Sequence, residues 1–180
     1  MQNLLTQAKD VKLVVMDVDG VLSNGQIIYN NDAVESKNFD VQDGFGIECL
    51  HKVGIQTAII TGRSSDIVAH RAKELKITHL KQGRPDKLVA LNELLATLDL
   101  TLADCAYIGD DWVDINALQA VGFAAAVANA HAEVIKRAHM VTTRKGGYGA
   151  VREVCDIILK ATGHYESLLA SYVNDTPSAK

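Results

Sequence analysis

The chain has 180 residues, of which 48% are hydrophobic and 22% are charged, with a formal net charge of −4 at pH 7. These values are typical of one soluble globular domain, and they argue against the basic surface that nucleic-acid binding requires. No apolar run approaches the roughly 20 residues of a membrane span, and residues 1–10 lack the layout of a secretory signal. We therefore expect a cytoplasmic protein that binds a small molecule, with Cys49, Cys105 and Cys155 as buried core thiols.

Apolar runs rich in Val, Ile and Ala alternate along the chain with segments of helical periodicity. Because strands buried on both faces are continuous apolar runs, we predict strands at 11–16, 56–60, 105–108 and 123–127, with a weaker one at 139–142. Helical spacing predicts helices at 46–53, 65–75, 87–98, 115–121, 132–137 and 150–161. The alternation predicts one doubly wound, Rossmann-like α/β domain over 1–173, a parallel sheet with helices on both faces, followed by a flexible tail at 174–180.

One segment, at about 26–39, departs from the alternation and predicts a β-hairpin that projects just after the first strand. Because a lone hairpin is marginally stable and its edges can pair with copies of itself, we expect a homo-oligomer in which the hairpins associate.

Asp17 and Asp19 stand where the first predicted strand ends, in the sequence Asp17-Val18-Asp19-Gly20. In an extended segment, side chains two residues apart share a face, so the two carboxylates can converge. Two close negative charges repel unless a cation or a proton lies between them. The pair therefore favours hard-cation and phosphoryl chemistry. The alternative is an Asp-rich turn in which Gly20 adopts a positive φ.

A second carboxylate cluster, Asp110, Asp111 and Asp114, follows another predicted strand. Because the carboxyl ends of parallel strands meet at one edge of a sheet, Asp17, Asp19 and Asp110 are predicted to converge there, with Asp114 nearby. An all-oxygen set of this kind favours Mg²⁺ over Zn²⁺. The alternative for Asp111 or Asp114 is an acid that stabilises a helix N-terminus.

Groups suited to a phosphate follow in the same order along the chain. Thr61, Gly62 and Arg63 end the second predicted strand and offer a hydroxyl, backbone amides and a helix N-terminus. Lys87, at the start of a predicted helix, offers a positive charge. Taken singly, each has a structural alternative: a strand-ending turn, a surface arginine and an exposed helix lysine. The joint order of acid pair, Thr, Lys and acid cluster favours the functional interpretation.

From residue 11 to about residue 127, these motifs resemble those of the haloacid dehalogenase superfamily of phosphotransferases. The resemblance implies that Asp17 is the nucleophile that forms an aspartyl-phosphate, and that Asp19 protonates the leaving alcohol and later activates water. It implies that Asp17, the backbone carbonyl of Asp19 and Asp110 hold Mg²⁺, supported by Asp114. It implies that Thr61, Gly62 and Lys87 bind the transferring phosphoryl group. Members of the superfamily usually carry a cap domain over the site. This chain has little room for one, so we expect the hairpins of several subunits to help cover the site.

A more specific resemblance covers nearly the whole chain and is to the 3-deoxy-D-manno-octulosonate 8-phosphate phosphatase family of lipopolysaccharide sugar synthesis, which is short, capless and tetrameric. The blocks that carry it are 17–22, 39–44, 61–63, 82–83, 109–111 and 146–153. The resemblance implies hydrolysis of a phosphorylated acidic sugar by a homotetramer. Arg63 is then a candidate ligand of the sugar carboxylate and the Asp43-Gly44 loop a candidate sugar contact, although a structural role stays open for both.

Three other functions remain compatible with these motifs. The first is a phosphatase of another acid sugar phosphate, such as a sialic acid 9-phosphate, or the phosphatase-like module of a sialic acid activating enzyme. The second is a receiver-like phospho-switch, although receivers carry the phosphorylated Asp on a middle strand, and the middle strand here ends in Thr61. The third is a catalytically inactive scaffold, against which the presence of every motif residue counts.

Overall fold

The computed structural model describes residues 2–173, and its centre is a six-stranded parallel sheet in the order β5-β4-β1-β6-β7-β8. The strands are β1 (Leu13–Met16), β2 (Ile28–Tyr29), β3 (Glu35–Ser36), β4 (Gln56–Ile60), β5 (His79–Lys81), β6 (Cys105–Gly109), β7 (Phe123–Ala126) and β8 (Met140–Val141). Residues Leu13 to Met16 are fully buried, as are those of β7, which accounts for the continuous apolar runs. The predicted doubly wound parallel sheet is confirmed.

Eight helices surround the sheet within the described part of the chain. They are α1 (Gln2–Ala8), α2 (Val41–Lys52), α3 (Asp66–Glu74), α4 (Lys87–Leu98), α5 (Ile115–Ala120), α6 (Ala132–Ile135), α7 (Ala150–Ala161) and α8 (Tyr165–Val173). Helices α1, α2, α7 and α8 pack together, and α4 packs with α5. None of the helices between residues 2 and 173 combines the length and apolar character needed to cross a membrane. The tail predicted at 174–180 lies outside the described residues.

Strands β2 and β3 form the predicted hairpin, a two-stranded antiparallel sheet separate from the main one. Tyr29 pairs with Glu35 and Ile28 with Ser36. The hairpin carries exposed apolar side chains at Ile27, Ile28, Tyr29 and Val34. It therefore presents an apolar surface that residues 2–173 of the chain leave exposed.

Helix α2 begins earlier than predicted, at Val41 rather than at residue 46. The carboxylate of Asp40 accepts a hydrogen bond from the Gln42 amide at 2.7 Å and caps the helix, a start signal that outweighs the low helix propensity of Gly44 and Gly46. Asp43 and Gly44 consequently lie in the first turn of a helix and not in a loop as predicted.

Candidate active site

The predicted motifs meet at the carboxyl edge of the sheet, because β1 pairs in parallel with both β4 and β6. Met16, the last residue of β1, is in register with Ile59 on one side and Ile108 on the other. The loops after these strands enclose a cleft of about 230 Å³. Seven of the predicted site residues line it, namely Asp17, Asp19, Thr61, Gly62, Arg63, Lys87 and Asp110, together with Asp111 of the second carboxylate cluster.

Three carboxylates lie together at the base of the cleft. Asp17, Asp110 and Asp114 each offer an oxygen, and these oxygens lie within 4.8 Å of one another. Burial and the negative charge of Asp114 raise the pKa of Asp17 to about 6. Burial and the carboxylates of Asp114 and Asp17 raise the pKa of Asp110 to about 8. The cluster therefore holds more negative charge than the protein around it neutralises.

Asp114 is the organising member of the cluster, because protein donors already occupy its oxygens. Oδ1 accepts a hydrogen bond from the hydroxyl of Tyr107 at 2.9 Å. Oδ2 accepts from the backbone amides of Asp110 at 3.0 Å and Asp111 at 3.3 Å. Asp111 in turn caps the 3₁₀ turn Trp112–Asp114, so the acidic loop is folded around its own carboxylates.

Lys87 is the cation that faces this cluster from α4. Its side chain is only 1% exposed, so the structural alternative for Lys87, an exposed lysine on a helix, is wrong. The ammonium donates to the carbonyl of Ile60 at 2.8 Å. It also lies 2.7 Å from Oδ1 of Asp17, in an ion pair not aligned as a hydrogen bond, and 3.3 Å from Oδ1 of Asp114. One buried ammonium thus balances only part of the negative charge of two buried carboxylates.

Two glycines let the loops around Asp17 approach one another closely. Gly20 has φ +97°, and a Cβ there would overlap the carboxylate of Asp110. A Cβ on Gly146 would overlap the backbone carbonyl of Gly20. Gly147 then donates its amide to the carbonyl of Val21 at 2.9 Å. The glycine run before α7 therefore packs against the loop that carries Asp17 and Asp19.

Thr61 and Gly62 form the wall of the cleft after β4. Thr61 is buried, and two hydrogen bonds fix its backbone. Its amide donates to the carbonyl of Lys81, and its carbonyl accepts from the amide of Arg84. Its hydroxyl bonds to none of the described residues, which leaves it free for a ligand oxygen. The predicted phosphate-binding groups are therefore in place around the carboxylates.

Two residues of the hairpin that the sequence analysis did not single out, Glu35 and Lys37, contact residues that line the cleft. Lys37 has a side chain only 1% exposed, pairs with Oδ1 of Asp19 and lies 3.4 Å from Oε1 of Glu35. Arg63 donates from Nη2 to the same Glu35 oxygen at 2.7 Å. The available signal was the spacing of Glu35 and Lys37 in the predicted hairpin, since side chains two residues apart in an extended segment share a face.

The structure does not bring Asp43 and Gly44 to this cleft. Asp43 is buried between α2 and α7, where Oδ1 accepts the backbone amide of Arg152 at 2.8 Å and caps α7. A Cβ on Gly44 would meet the side chains of Arg71 and Leu75. Within one chain, both residues pack α2 against neighbouring helices. The expected contact of Asp43 and Gly44 with the sugar stays a prediction.

The cleft fits a hard divalent cation. Oδ1 of Asp110 is buried and has no hydrogen-bond partner among the described residues, although a buried carboxylate oxygen requires a donor or a cation. The donor set consists of carboxylate oxygens, with the buried ammonium of Lys87 beside them. Carboxylate oxygens are the ligands that Mg²⁺ takes in phosphoryl-transfer sites.

Comparison with known proteins adds a family model and close relatives. The model of the haloacid dehalogenase-like hydrolases matches residues 80–154. The 3-deoxy-D-manno-octulosonate 8-phosphate phosphatase of Yersinia pestis is 49% identical over 164 residues, which cover 91% of this chain and 88% of that protein. The similarity thus extends over nearly the full length of both chains.

Solved structures give the same likeness in three dimensions. A crystal structure of 3-deoxy-D-manno-octulosonate 8-phosphate phosphatase from Moraxella catarrhalis, in complex with magnesium, phosphate and KDO, has a TM-score of 0.94 and 49% identity, covering 96% of this chain and 99% of that one. The cobalt-bound phosphatase from Haemophilus influenzae has a TM-score of 0.86 and 38% identity, covering 94% of this chain and 96% of that one.

Proposed function

Because the chain belongs to the 3-deoxy-D-manno-octulosonate 8-phosphate phosphatase family of haloacid dehalogenase-like hydrolases, we propose that it is a Mg²⁺-dependent phosphatase of this sugar phosphate. The products are the free sugar acid and phosphate, and the reaction is a step of lipopolysaccharide biosynthesis. The observation that carries the proposal is the buried cluster of Asp17, Asp110 and Asp114 with Lys87, at the carboxyl edge of this sheet. The superfamily resemblance of the motifs is confirmed by the relatives.

The first chemical step is attack of an Asp17 oxygen on phosphorus. A new O–P bond forms to Asp17 while the bond from phosphorus to the sugar oxygen breaks. Asp19, also in the cleft, gives its proton to that leaving oxygen, so that the sugar departs as a neutral alcohol. The product of the step is an aspartyl-phosphate on Asp17.

The second step returns the enzyme to its starting state. Asp19, now a carboxylate, takes a proton from a water molecule whose oxygen attacks phosphorus, and the bond to Asp17 breaks to release inorganic phosphate. Lys87, the Thr61 hydroxyl and the Gly62 amide hold the phosphoryl oxygens in both steps. Their positions around the cleft support this assignment.

Asp17, Asp110 and the backbone carbonyl of Asp19 would hold Mg²⁺, with Asp114 fixing the loop of Asp110 by accepting its amide. When bound, the ion neutralises charge on the transferring phosphoryl group. The unpartnered Oδ1 of Asp110 and the raised pKa of that carboxyl support this ligand set.

Arg63 is the candidate ligand for the sugar carboxylate. It lines the cleft, and its guanidinium is 38% exposed although Nη2 is bound to Glu35. A guanidinium has five N–H donors, so Glu35 can orient the group while other donors face a ligand.

We also propose a homotetramer in the cytoplasm. The apolar, uncovered hairpin of residues Ile27 to Val34 supports self-association, because such a surface is stable in water only when it is paired. The three buried, free cysteines support a reducing compartment. Assembly through the hairpins would place further residues over a cleft that has no cap domain of its own.

The test is phosphate release from a panel of substrates at fixed Mg²⁺, each with a matched EDTA arm. The panel holds 3-deoxy-D-manno-octulosonate 8-phosphate, a sialic acid 9-phosphate, a neutral hexose phosphate and 4-nitrophenyl phosphate. We expect the octulosonate ester to have the highest kcat/KM, and EDTA to abolish turnover of all four.

Other outcomes would redirect or refute the proposal. A preference for the sialic acid ester would assign the enzyme to the phosphatases of that sugar. Turnover that survives EDTA, or no turnover of any ester in Mg²⁺, would contradict a metal-dependent phosphatase. The variant Asp10→Asn, which changes an exposed acid outside the cleft, is the control for the preparation.

A further inference from the structure

Each acid of the Asp17-Val18-Asp19 pair has its own buried lysine. Lys87 of α4 pairs with Asp17, and Lys37 of the hairpin pairs with Asp19. Both lysine side chains are only 1% exposed. Lys87 belongs to the superfamily motifs, whereas Lys37 lies outside them.

The burial of Lys37 is unusual for its position. The hairpin around it is exposed, and its neighbours Ser36 and Asn38 face solvent. A lysine that loses water is stable only if carboxylates replace the hydration. Asp19 and Glu35 do so here, and the ammonium therefore stays in one place only while it holds both.

Glu35 is itself fixed from the opposite wall of the cleft. Oε1 accepts from Nη2 of Arg63 at 2.7 Å, and Oε2 accepts from the hydroxyl of Ser65 at 2.9 Å. Burial opposes ionisation of this carboxyl, but the Ser65 hydroxyl, Lys37 and Arg63 together hold its pKa below the usual range. The hairpin is thus tied by charged bonds to both sides of the site.

Lys37 contacts only one oxygen of Asp19. The contact is to Oδ1, and among residues 2–173 no side chain bonds to Oδ2. A carboxyl held through one oxygen keeps a fixed orientation while the other oxygen is available for proton transfer. General acid catalysis depends on that orientation, because the proton must lie within hydrogen-bond reach of the leaving oxygen.

We propose that Lys37 is a positioning residue for the proton transfer of Asp19, held in place by Glu35. The inference rests on the proposed function, in which Asp19 protonates the leaving alcohol. It adds that the acid is oriented by the hairpin and not by the loop of Asp19 alone. Loss of Lys37 leaves the nucleophile, the metal ligands and the phosphate groups intact but misdirects the proton donor.

The dependence of kcat/KM on the leaving group tests this role. Esters of good leaving groups, such as 4-nitrophenol, need little proton donation, whereas alkyl phosphates need it fully. The probes are a series from 4-nitrophenyl phosphate to uncharged alkyl phosphates, which lack a carboxylate and so do not report on Arg63. The variants are Lys37→Met, Asp19→Asn and the double substitution.

For Lys37→Met we expect a loss of about 10²-fold on alkyl phosphates and of about threefold or less on 4-nitrophenyl phosphate, since misplacing a catalytic group by about 1 Å has effects of this size. Asp19→Asn should show the same trend with a larger loss. The double variant should be no worse than Asp19→Asn, because Lys37 acts through that residue. Lys37→Arg, which keeps the charge, should regain part of the alkyl phosphate activity.

Two controls separate this role from general damage. Lys12→Met removes an ion pair of 2.7 Å to Asp104 at the other end of β1 and should leave the leaving-group trend unchanged. Glu35→Gln keeps the Lys37 charge but removes one of its two carboxylates. It should give the same selective loss at smaller size, and it serves as the test if Lys37→Met does not fold.

A uniform loss on all esters in Lys37→Met or Glu35→Gln would overturn the inference, since a structural or phosphate-binding lysine affects every substrate alike. So would a double variant clearly worse than Asp19→Asn. If Asp19→Asn itself shows no leaving-group trend, the assignment of Asp19 fails instead. The failure of the inference and that of the proposed function are therefore distinguishable.

Discussion

At the scale of single residues, Asp110 carries a carboxyl whose negative charge the surrounding side chains neutralise poorly. Burial and the nearby carboxylates of Asp114 and Asp17 raise its pKa to about 8, whereas the pKa of an aspartate in an unfolded chain is about 4. The folded chain therefore binds this proton more tightly than the unfolded chain. The stabilisation is full below about pH 4 and is lost as the pH rises through about 8.

We predict that, in EDTA, the melting temperature of the native chain falls relative to that of Asp110→Asn as the pH rises from about 5 to about 8. A difference of about 3 °C or more is expected at the upper end, since about 1 kcal/mol shifts a chain of this size by a few degrees. Mg²⁺ should raise the melting temperature of the native chain but not of the variant. Parallel curves for the two proteins would contradict the assignment of Asp110 as a metal ligand.

Arg63 has a prediction of its own, because its role is in substrate selection and not in the chemistry. Arg63→Ala should lower kcat/KM about 10- to 100-fold for the acidic sugar phosphate, the size of a charge-assisted hydrogen bond, and little for 4-nitrophenyl phosphate. Arg137→Ala is the matched control, since Arg137 forms an ion pair of the same 2.7 Å length with Glu133. Equal losses on both substrates would assign Arg63 to phosphate binding or to structure.

The sequence predicted the site residues that follow strands and missed those that depend on the hairpin. Asp17, Thr61 and Asp110 could be predicted because each lies just after a strand, and the carboxyl ends of parallel strands meet at one edge of the sheet. Lys37 and Glu35 contact Asp19 and Arg63 only because of how the hairpin packs beside the cleft, and no local sequence pattern fixes that packing angle. Asp43 was expected in a loop because a polar residue next to glycine is as typical of a binding loop as of a helix start, and the structure places it in the first turn of α2.

At the scale of elements, the glycine run before α7 supports the loop that carries the nucleophile. Gly146→Ala would place a Cβ against the Gly20 carbonyl and displace Asp17 and Asp19. We predict a fall in kcat of about 10²-fold in the folded protein, because small displacements of reacting groups have effects of this size.

Gly122→Ala is the control for this change, since its Cβ would likewise meet a backbone carbonyl, that of Ala103, but at a loop before β7 away from the cleft. It should destabilise the fold and leave the kcat of the folded fraction unchanged. Similar kcat losses in the two variants, measured against the folded concentration, would refute the supporting role of the glycine run.

Helices and strands were predicted correctly where their hydrophobic periodicity is strong, and were missed where packing against the rest of the fold determines whether they form. Strand β4 and helices α4 and α7 have the predicted bounds. Helices α1 and α8 were not predicted, because they are short, lie at the ends of the described chain and have few buried residues. Their helical state depends on packing against α7, which a local pattern does not contain.

At the scale of the whole molecule, we expect the chain to self-associate through the hairpin. We predict that the triple variant I28S/Y29S/V34S sediments as smaller species than the native chain, because it removes exposed apolar side chains from the surface proposed to pair. Val89→Ser changes an equally exposed apolar residue on α4 and should not alter sedimentation. A native chain that sediments as a fully active monomer would contradict assembly through the hairpins.

The central claim is that strand ends brought together by the sheet make Asp17 a nucleophile toward phosphate esters. Its most direct test is acid quenching of the enzyme during turnover in Mg²⁺, followed by mass spectrometry of its peptides. We predict a phosphoryl group on Asp17 in the native chain, and neither that adduct nor turnover in Asp17→Asn. A phosphoryl group on another residue, or turnover of Asp17→Asn above a few per cent of the native rate, would contradict the account.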